Sequence, residues 1–300
     1  MGSERHIMRE RIAGNCICCG SSRLQRSPAI LMPFVAHRVF GWVPVEIDDS
    51  WGLRTIPNGH AYSICNSLCC EECGMLFLDI RFTDTEMEAL YRGYRQEEYT
   101  ALREHYEPGY RARNDALNAG DAHIPHVEAF LSPFLANRLR VLDWGGDTGI
   151  NTPFRDRAEL FHVHDISAKA VVAGATSVDL ETARLIGYDL IVCSNVLEHI
   201  PWPLDLLAQI TACMGDATIL YIEVPHEELV RLHGGQGDLC TRKRHWHEHI
   251  NFFGRKSLMR MLEVAGLEIL RLEELADDVD HIMPCQLMVA CRLSAVDSKS

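Results

Sequence analysis

Short apolar runs alternating with longer stretches of helical period fill the chain from residue 121 onward, the pattern of buried parallel strands joined by helices. Asp121 to Ala136 has the helical period, and Val141-Leu142-Asp143-Trp144 is the first apolar run after it. Glu159-Leu160-Phe161-His162-Val163-His164, Tyr188-Asp189-Leu190-Ile191-Val192-Cys193-Ser194 and Ala217 to Pro225 read as further strands. Helices are expected over Ala168 to Ala175 and Lys256 to Ala265, and Leu267 to Leu272 with Cys285 to Leu293 reads as a closing hairpin. Upstream, Val43 to Ile47 and Ala61 to Ile64 are strand-like, and Thr83-Asp84-Thr85-Glu86 has the layout of a helix cap ahead of Met87 to Tyr91.

The first strand of the second half runs into a carboxylate and a glycine-rich turn, Asp143-Trp144-Gly145-Gly146-Asp147-Thr148-Gly149. Such a turn between strand and helix leaves backbone N–H groups bare for a nucleotide-like ligand. Asp165 closes the second strand, where an acid can hold the two hydroxyls of a ribose. No G-x-G-x-x-G fingerprint is present. The layout resembles the class I methyltransferases that use S-adenosylmethionine, whose D-x-G-x-G-x-G signature precedes an acid at the end of the second strand. The resemblance implies an α/β fold, a Rossmann-like sheet with helices on both faces. It also implies that Asp143, Gly145, Gly146, Gly149 and Asp165 bind S-adenosylmethionine, joined by Ser194 and Asn195 ahead of Val196-Leu197-Glu198-His199-Ile200. Glu198 and His199 are read as capping and packing the helix that follows. Asp147 stands where the family has its middle glycine, and aspartate tolerates the left-handed conformation better than most residues.

Seven of the twelve cysteines fall in two tight groups, Cys16-Ile17-Cys18-Cys19-Gly20 and Cys65 to Gly74. Cys16, Cys19, Cys70 and Cys73 form two C-x-x-C pairs, each followed by glycine, and supply the four thiolates of a structural zinc site. Cys18, Cys65 and Cys69 are spares, any of which can stand in for a chosen ligand. A closed four-thiolate site keeps no open position, so zinc is expected to fold the domain and not to catalyse. Cys193, Cys213, Cys285 and Cys291 read as small core residues. The two pairs followed by an acidic, tyrosine-rich helix resemble the zinc-binding domain ahead of sugar C-methyltransferases, over Cys16 to Tyr99. Tyr91, Tyr94, Tyr99, Tyr106 and Tyr110 are then either a core face or, as the resemblance implies, part of a lid. The expected division is a zinc-binding domain over 1–82, a helical lid over 83–135 and the methyltransferase domain over 136–300.

Gly234-Gly235-Gln236-Gly237 is expected to be a flexible stretch that closes over substrate. Beyond it, His245-Trp246-His247-Glu248-His249 gathers three histidines and a glutamate. The spacing is not H-E-x-x-H, and histidines at i, i+2 and i+4 do not share one helical face, which argues against a metal cluster within these five residues. The sugar C-methyltransferases carry an E-H-x-x-x-F-S motif there, matched by Glu248, His249 and Phe253, with Gly254 in place of the serine. The resemblance implies that His249 is a general base, with Glu248 orienting ring or substrate. His247 is the second candidate, because alternation in an extended segment puts 247 and 249 on one face. A plain hydrogen-bonded histidine cluster is the alternative.

Sugar C-methyltransferases continue into a further C-terminal domain that has no counterpart after the closing hairpin. The resemblance therefore implies O- or C-methylation of a small molecule (sugar, sugar nucleotide or natural-product intermediate) and leaves the acceptor open. With 42 acidic against 29 basic side chains, the net charge of −13 repels polyanions and argues against an RNA methyltransferase or any nucleic-acid partner. Arg242-Lys243-Arg244, the one dense basic cluster, remains available to an anionic small molecule. No apolar run reaches about 18 residues, and the first fourteen residues are polar. Neither a membrane span nor a secretory signal is expected, and the chain reads as cytoplasmic, with its oligomeric state unspecified. A degenerate zinc and Rossmann binding module is the remaining alternative, favoured by Asp147 and opposed by the titratable groups at one sheet edge.

Overall fold

A computed structural model describes residues 10–52, 58–118, 123–167, 169–275 and 285–295. The N-terminal part runs β1 (Leu24–Leu31), α1 (Pro33–Phe40), β2 (Val45–Ile47), β3 (Gly59–Ala61), β4 (Ile64–Cys70) and β5 (Leu76–Leu78). Helices α2 (Asp84–Tyr91), α3 (Glu97–Tyr106), α4 (Tyr110–Asn118) and α5 (Ile124–Leu131) then lead into β6 (Leu139–Trp144), β7 (Ala158–His164), β8 (Thr176–Ser177), α6 (Leu180–Arg184) and β9 (Leu190–Ser194). After these come α7 (Pro203–Thr211), β10 (Ile219–Pro225), α8 (Glu228–His233), α9 (Leu239–Arg242), β11 (His245–Trp246), β12 (Asn251–Phe252), α10 (Arg255–Val264), β13 (Leu267–Leu275) and β14 (Gln286–Leu293).

The large sheet has the order β13-β14-β10-β9-β6-β7-β8, parallel from β10 to β8 and closed by β14 and β13, which run antiparallel. Side chains alternate between its faces, as the period of two requires. Leu142, Trp144, Leu220, Ile222 and Val224 enter one core with α7 and α10, whereas Val141, Val163 and Tyr221 enter another with α5. Strand β6 pairs with both β7 and β9, so the chain departs from its carboxyl end in two directions. Open α/β sheets bind ligands in the crevice such a switch creates.

The smaller sheet has the order β11-β1-β4-β5-β12, so its two outer strands come from residues 245–246 and 251–252. The N-terminal unit is therefore not built from residues 1–82 alone: the stretch carrying the histidines is woven into it. Cys16, Cys18, Cys70, Cys73, Met75 and Phe77 share one continuous core with the large sheet and α10.

Several expectations are met residue by residue. Thr83 and Glu86 form a capping box, the Thr83 hydroxyl accepting from the Glu86 amide and Glu86 Oε2 from the Thr83 amide. Other elements differ. The helix expected from Ala168 is absent over 169–175; Ala168 itself lies outside the described residues. There the Val172 amide donates to the Thr148 carbonyl at 2.9 Å and Gly174 adopts φ 87°, tying the segment to the glycine-rich turn as irregular chain. The helix expected over 121–136 is confined to α5 and passes into a 3₁₀ turn at Ser132–Phe134; Asp121 and Ala122 lie outside the described residues.

Candidate functional site

The glycine-rich turn leaves β6 at the carboxyl edge, and each glycine answers a close approach. A Cβ on Gly145 (φ 77°) would stand 2.6 Å from Val196 Cγ2, one on Gly146 2.2 Å from Asp143 Oδ2, and one on Gly149 (φ 79°) 2.8 Å from Phe161 Cζ. The turn is thereby folded back on its own strand, on the loop after β9 and on β7. Asp143 is buried beneath it, hydrogen-bonded to the Thr152 hydroxyl, which also lies 3.0 Å from the Gly149 carbonyl. Burial pushes the Asp143 carboxyl up to about 7. Asp165 accepts from the amides of Asp147 (2.9 Å) and Ser167 (2.7 Å), one on each oxygen, and each oxygen keeps a second lone pair for a hydroxyl.

Asp147 takes φ 52°, the left-handed conformation that a glycine would take without strain. Its carboxylate is held by Lys169 Nζ at 2.8 Å and Arg95 Nη1 at 3.4 Å. Arg95 belongs to the turn between α2 and α3, so Asp147 latches the helical segment to the glycine-rich turn. Nothing in the local sequence pairs Arg95 with Asp147, 52 positions away.

Glu223, at the end of β10, is fully buried and collects Tyr221 Oη, His123 Nε2 (3.2 Å), Ser194 Oγ (3.1 Å) and Asn195 Nδ2 (2.9 Å). Burial alone would raise its carboxyl; His123 and the hydroxyl hydrogen bonds instead hold it below the ordinary range. Ser194 and Asn195 (φ 54°) thus stand at the edge where they were expected, anchored by a carboxylate.

The third group sits on the loops after β9 and before β12. His249 Nδ1 lies 2.8 Å from Glu227 Oε1, and its ring meets that of His199 edge-on at 4.7 Å. His199 Nδ1 lies 2.8 Å from Tyr91 Oη and 3.2 Å from the Glu248 carbonyl. Burial drives the His199 ring down to about 3. Burial also opposes charge on His249, but Glu227, Glu198 and Glu248 outweigh it and raise the ring to about 9. Glu198 does not cap α7, whose N-cap is Trp202; the Glu198 carboxylate faces the two histidines and has no hydrogen-bond partner. Glu248 is engaged in a buried ion pair with Arg103 of α3, and His247 turns to Glu107 at 3.3 Å and to the His245 ring. The alternation expected to put His247 and His249 on one face does not hold, because the irregular chain between β11 and β12 sends only His249 toward His199.

The tyrosines divide between core and site. Tyr99 and Tyr110 are core residues, 2% and 7% exposed, while Tyr91 and Tyr94 reach the site. Tyr94 meets Tyr91 edge-on at 5.6 Å and lies under Arg95 and Lys169, so a continuous run of contacts joins Asp147 to His199.

At the far end of the smaller sheet, Cys16, Cys19, Cys70 and Cys73 gather with all four Sγ atoms within 4.8 Å of one another. Cys16–Cys73 and Cys19–Cys70 are each 3.6 Å apart, close to the roughly 3.8 Å that tetrahedral Zn–S bonds of about 2.3 Å require. The two knuckles are alike: the amides of Gly20 (φ 75°) and Gly74 (φ 76°) each donate at 2.9 Å to the carbonyl of the first cysteine. The donor set fits zinc. The spares stand aside, Cys18 donating to the Ser257 carbonyl at 3.2 Å. In the basic cluster, Lys243 is buried over the Trp246 and Phe252 rings, and Arg242 pairs with Asp238. Gly234 and Gly235 lie beside Gly74 and the start of α10, not over the cofactor turn. Among the described residues, no helix is long and apolar enough to cross a membrane.

No curated protein matches the chain in sequence. Among solved structures, the 1,6-didemethyltoxoflavin N1-methyltransferase of Burkholderia thailandensis is 19% identical, covering 66% of this chain and 89% of its own with a TM-score of 0.47. An S-adenosylmethionine-dependent methyltransferase of Mesorhizobium loti is 16% identical over 55% of this chain and 96% of its own (TM-score 0.38). A glycopeptide N-methyltransferase complexed with sinefungin is 11% identical over 58% and 94% (TM-score 0.43). The family described as "Methyltransferase domain" matches residues 118–272, just over half of the sequence and the span that carries the glycine-rich turn, Asp165, Glu223 and His249. The chain belongs to this family of methyltransferase domains.

Proposed function

We propose that the enzyme methylates a small-molecule acceptor bound beside the place where the Tyr91–Arg95 segment meets the cluster of Glu198, His199 and His249. The observation that carries this reading is the unbroken run of side chains Asp147, Arg95, Tyr94, Tyr91, His199, His249, which brings the cofactor turn and the titratable cluster to one place. Asp143, Gly145, Gly146, Gly149, Asp165, Ser194 and Asn195 are the residues that would hold S-adenosylmethionine. When bound, that molecule supplies a methyl group on an already activated sulfonium, so positioning is the main task left to the protein. An acceptor hydroxyl, or a carbon beside a carbonyl, must also lose a proton, and His249 is the residue we assign to that step. Residues 83–118 form the lid, and a structural zinc in the four-cysteine site holds the smaller sheet.

Calorimetric titration with S-adenosylhomocysteine tests the cofactor site. The wild-type chain should bind, and Asp165→Ala should weaken binding roughly tenfold or more, the loss of a charge-assisted hydrogen bond. Folded wild-type protein with no heat of binding at millimolar ligand would sink the assignment of these residues. His249→Ala should lower turnover about a hundredfold or more while leaving that affinity nearly unchanged.

A further inference from the structure

Resting on that reading of where the acceptor binds, but replacing His249 as the free base, we propose that Glu198, His199 and His249 form a second metal site, one that takes a divalent transition-metal ion of the zinc, iron or manganese kind. One ligand atom from each residue lies within 4.8 Å of the other two. Glu198 is 1% exposed and neither of its carboxylate oxygens has a hydrogen-bond partner, a costly state for a buried acid that lacks a cation. His199 Nε2 is 3.7 Å from Glu198 Oε1, too far for a hydrogen bond.

The two imidazoles are oriented from behind. With its hydrogen on Nδ1, shared between the Glu248 carbonyl at 3.2 Å, which can only accept, and the Tyr91 hydroxyl at 2.8 Å, His199 keeps a lone pair on Nε2. His249 Nδ1 likewise donates to Glu227 Oε1 at 2.8 Å. Outer carboxylates and carbonyls hold metal-bound histidines in this manner, fixing the tautomer and aiming Nε2 at the ion. Two imidazoles and one carboxylate suit zinc, iron or manganese and leave coordination positions open. An acceptor hydroxyl in one of those positions would give up its proton to solvent more readily. The ligands come from the loop after β9 and the segment before β12, which is why the spacing within residues 245–249 does not reveal them.

The test is a Zn²⁺ titration of the chelator-dialysed full-length chain, with the four-cysteine site as internal reference. The wild type should bind about two ions per chain, one of them at the thiolate site. Glu198→Gln, which keeps the shape of the side chain, and His199→Asn should each lower affinity for one ion at least tenfold while leaving the other, and S-adenosylhomocysteine binding, as in the wild type. Chelator-treated wild type should lose turnover and regain it with added metal. If the wild type binds one ion only and Glu198→Gln binds it equally well, the proposal is overturned. It is overturned also if the metal-free enzyme keeps full turnover that His249→Ala abolishes, since the imidazole is then the base without an ion. In either case methyl transfer stands; a wild type that binds two ions but no S-adenosylhomocysteine reverses that outcome.

Discussion

Asp143 is held under a turn that leaves it almost no solvent, with one hydroxyl as partner. A neutral Asp143 fits its surroundings, because its own O–H can donate to Thr152 while Thr152 donates to the Gly149 carbonyl. With a folded value of about 7 against 3.8 for the ordinary group, the folded chain retains this proton between those values while the unfolded chain has released it. Stability from this residue therefore falls as pH rises through that interval and levels off above it. Asp143→Asn should remove the dependence. In cofactor-free protein its melting temperature should draw ahead of the wild type between about pH 4 and pH 7, by roughly 5 °C at the upper end. Parallel curves for the two proteins would mean that Asp143 is ionised throughout.

The segment from α2 to α3 is fastened to the cofactor turn by Asp147. Asp147→Gly relieves the left-handed conformation, worth up to about 1 kcal/mol, but deletes two partly buried ion pairs. Overall stability should change little while the segment loosens, so tryptic cleavage after Arg95 should quicken several-fold. An unchanged cleavage rate would show that the tyrosine contacts alone hold the lid. At the smaller sheet the element to test is the pair of cysteine knuckles. Metal analysis should find zinc at the thiolate site, and Cys70→Ser should cost about one zinc per chain and lower the melting temperature. Recovery of that variant with wild-type metal content and stability would refute the assignment.

Across the molecule, what the sequence reveals is what local rules encode. Gly145, Gly149 and Asp165 announce the turn at the carboxyl edge of the large sheet because turn geometry and strand ends are local. The same holds for the capping box at Thr83 and the knuckles at Gly20 and Gly74. What escapes are partnerships between distant segments: Arg95 with Asp147, Tyr91 with His199, His123 with Glu223. Glu198 is misread because a glutamate just before a helix resembles a cap until burial shows it facing two histidines. The outer strands of the smaller sheet escape for the same reason, since edge pairing with β11 and β12 leaves no mark in the first eighty residues. This threading governs the order in which the protein can be made. Strands β1, β4 and β5 leave the ribosome early, yet both outer edges of that sheet wait for residues 245–252. At about 5–20 residues per second the delay is roughly 10 to 35 s, during which both edges are open templates for pairing with other nascent chains. The first sheet to be synthesised is among the last to be closed, and the segment that closes it is the one that delivers His249.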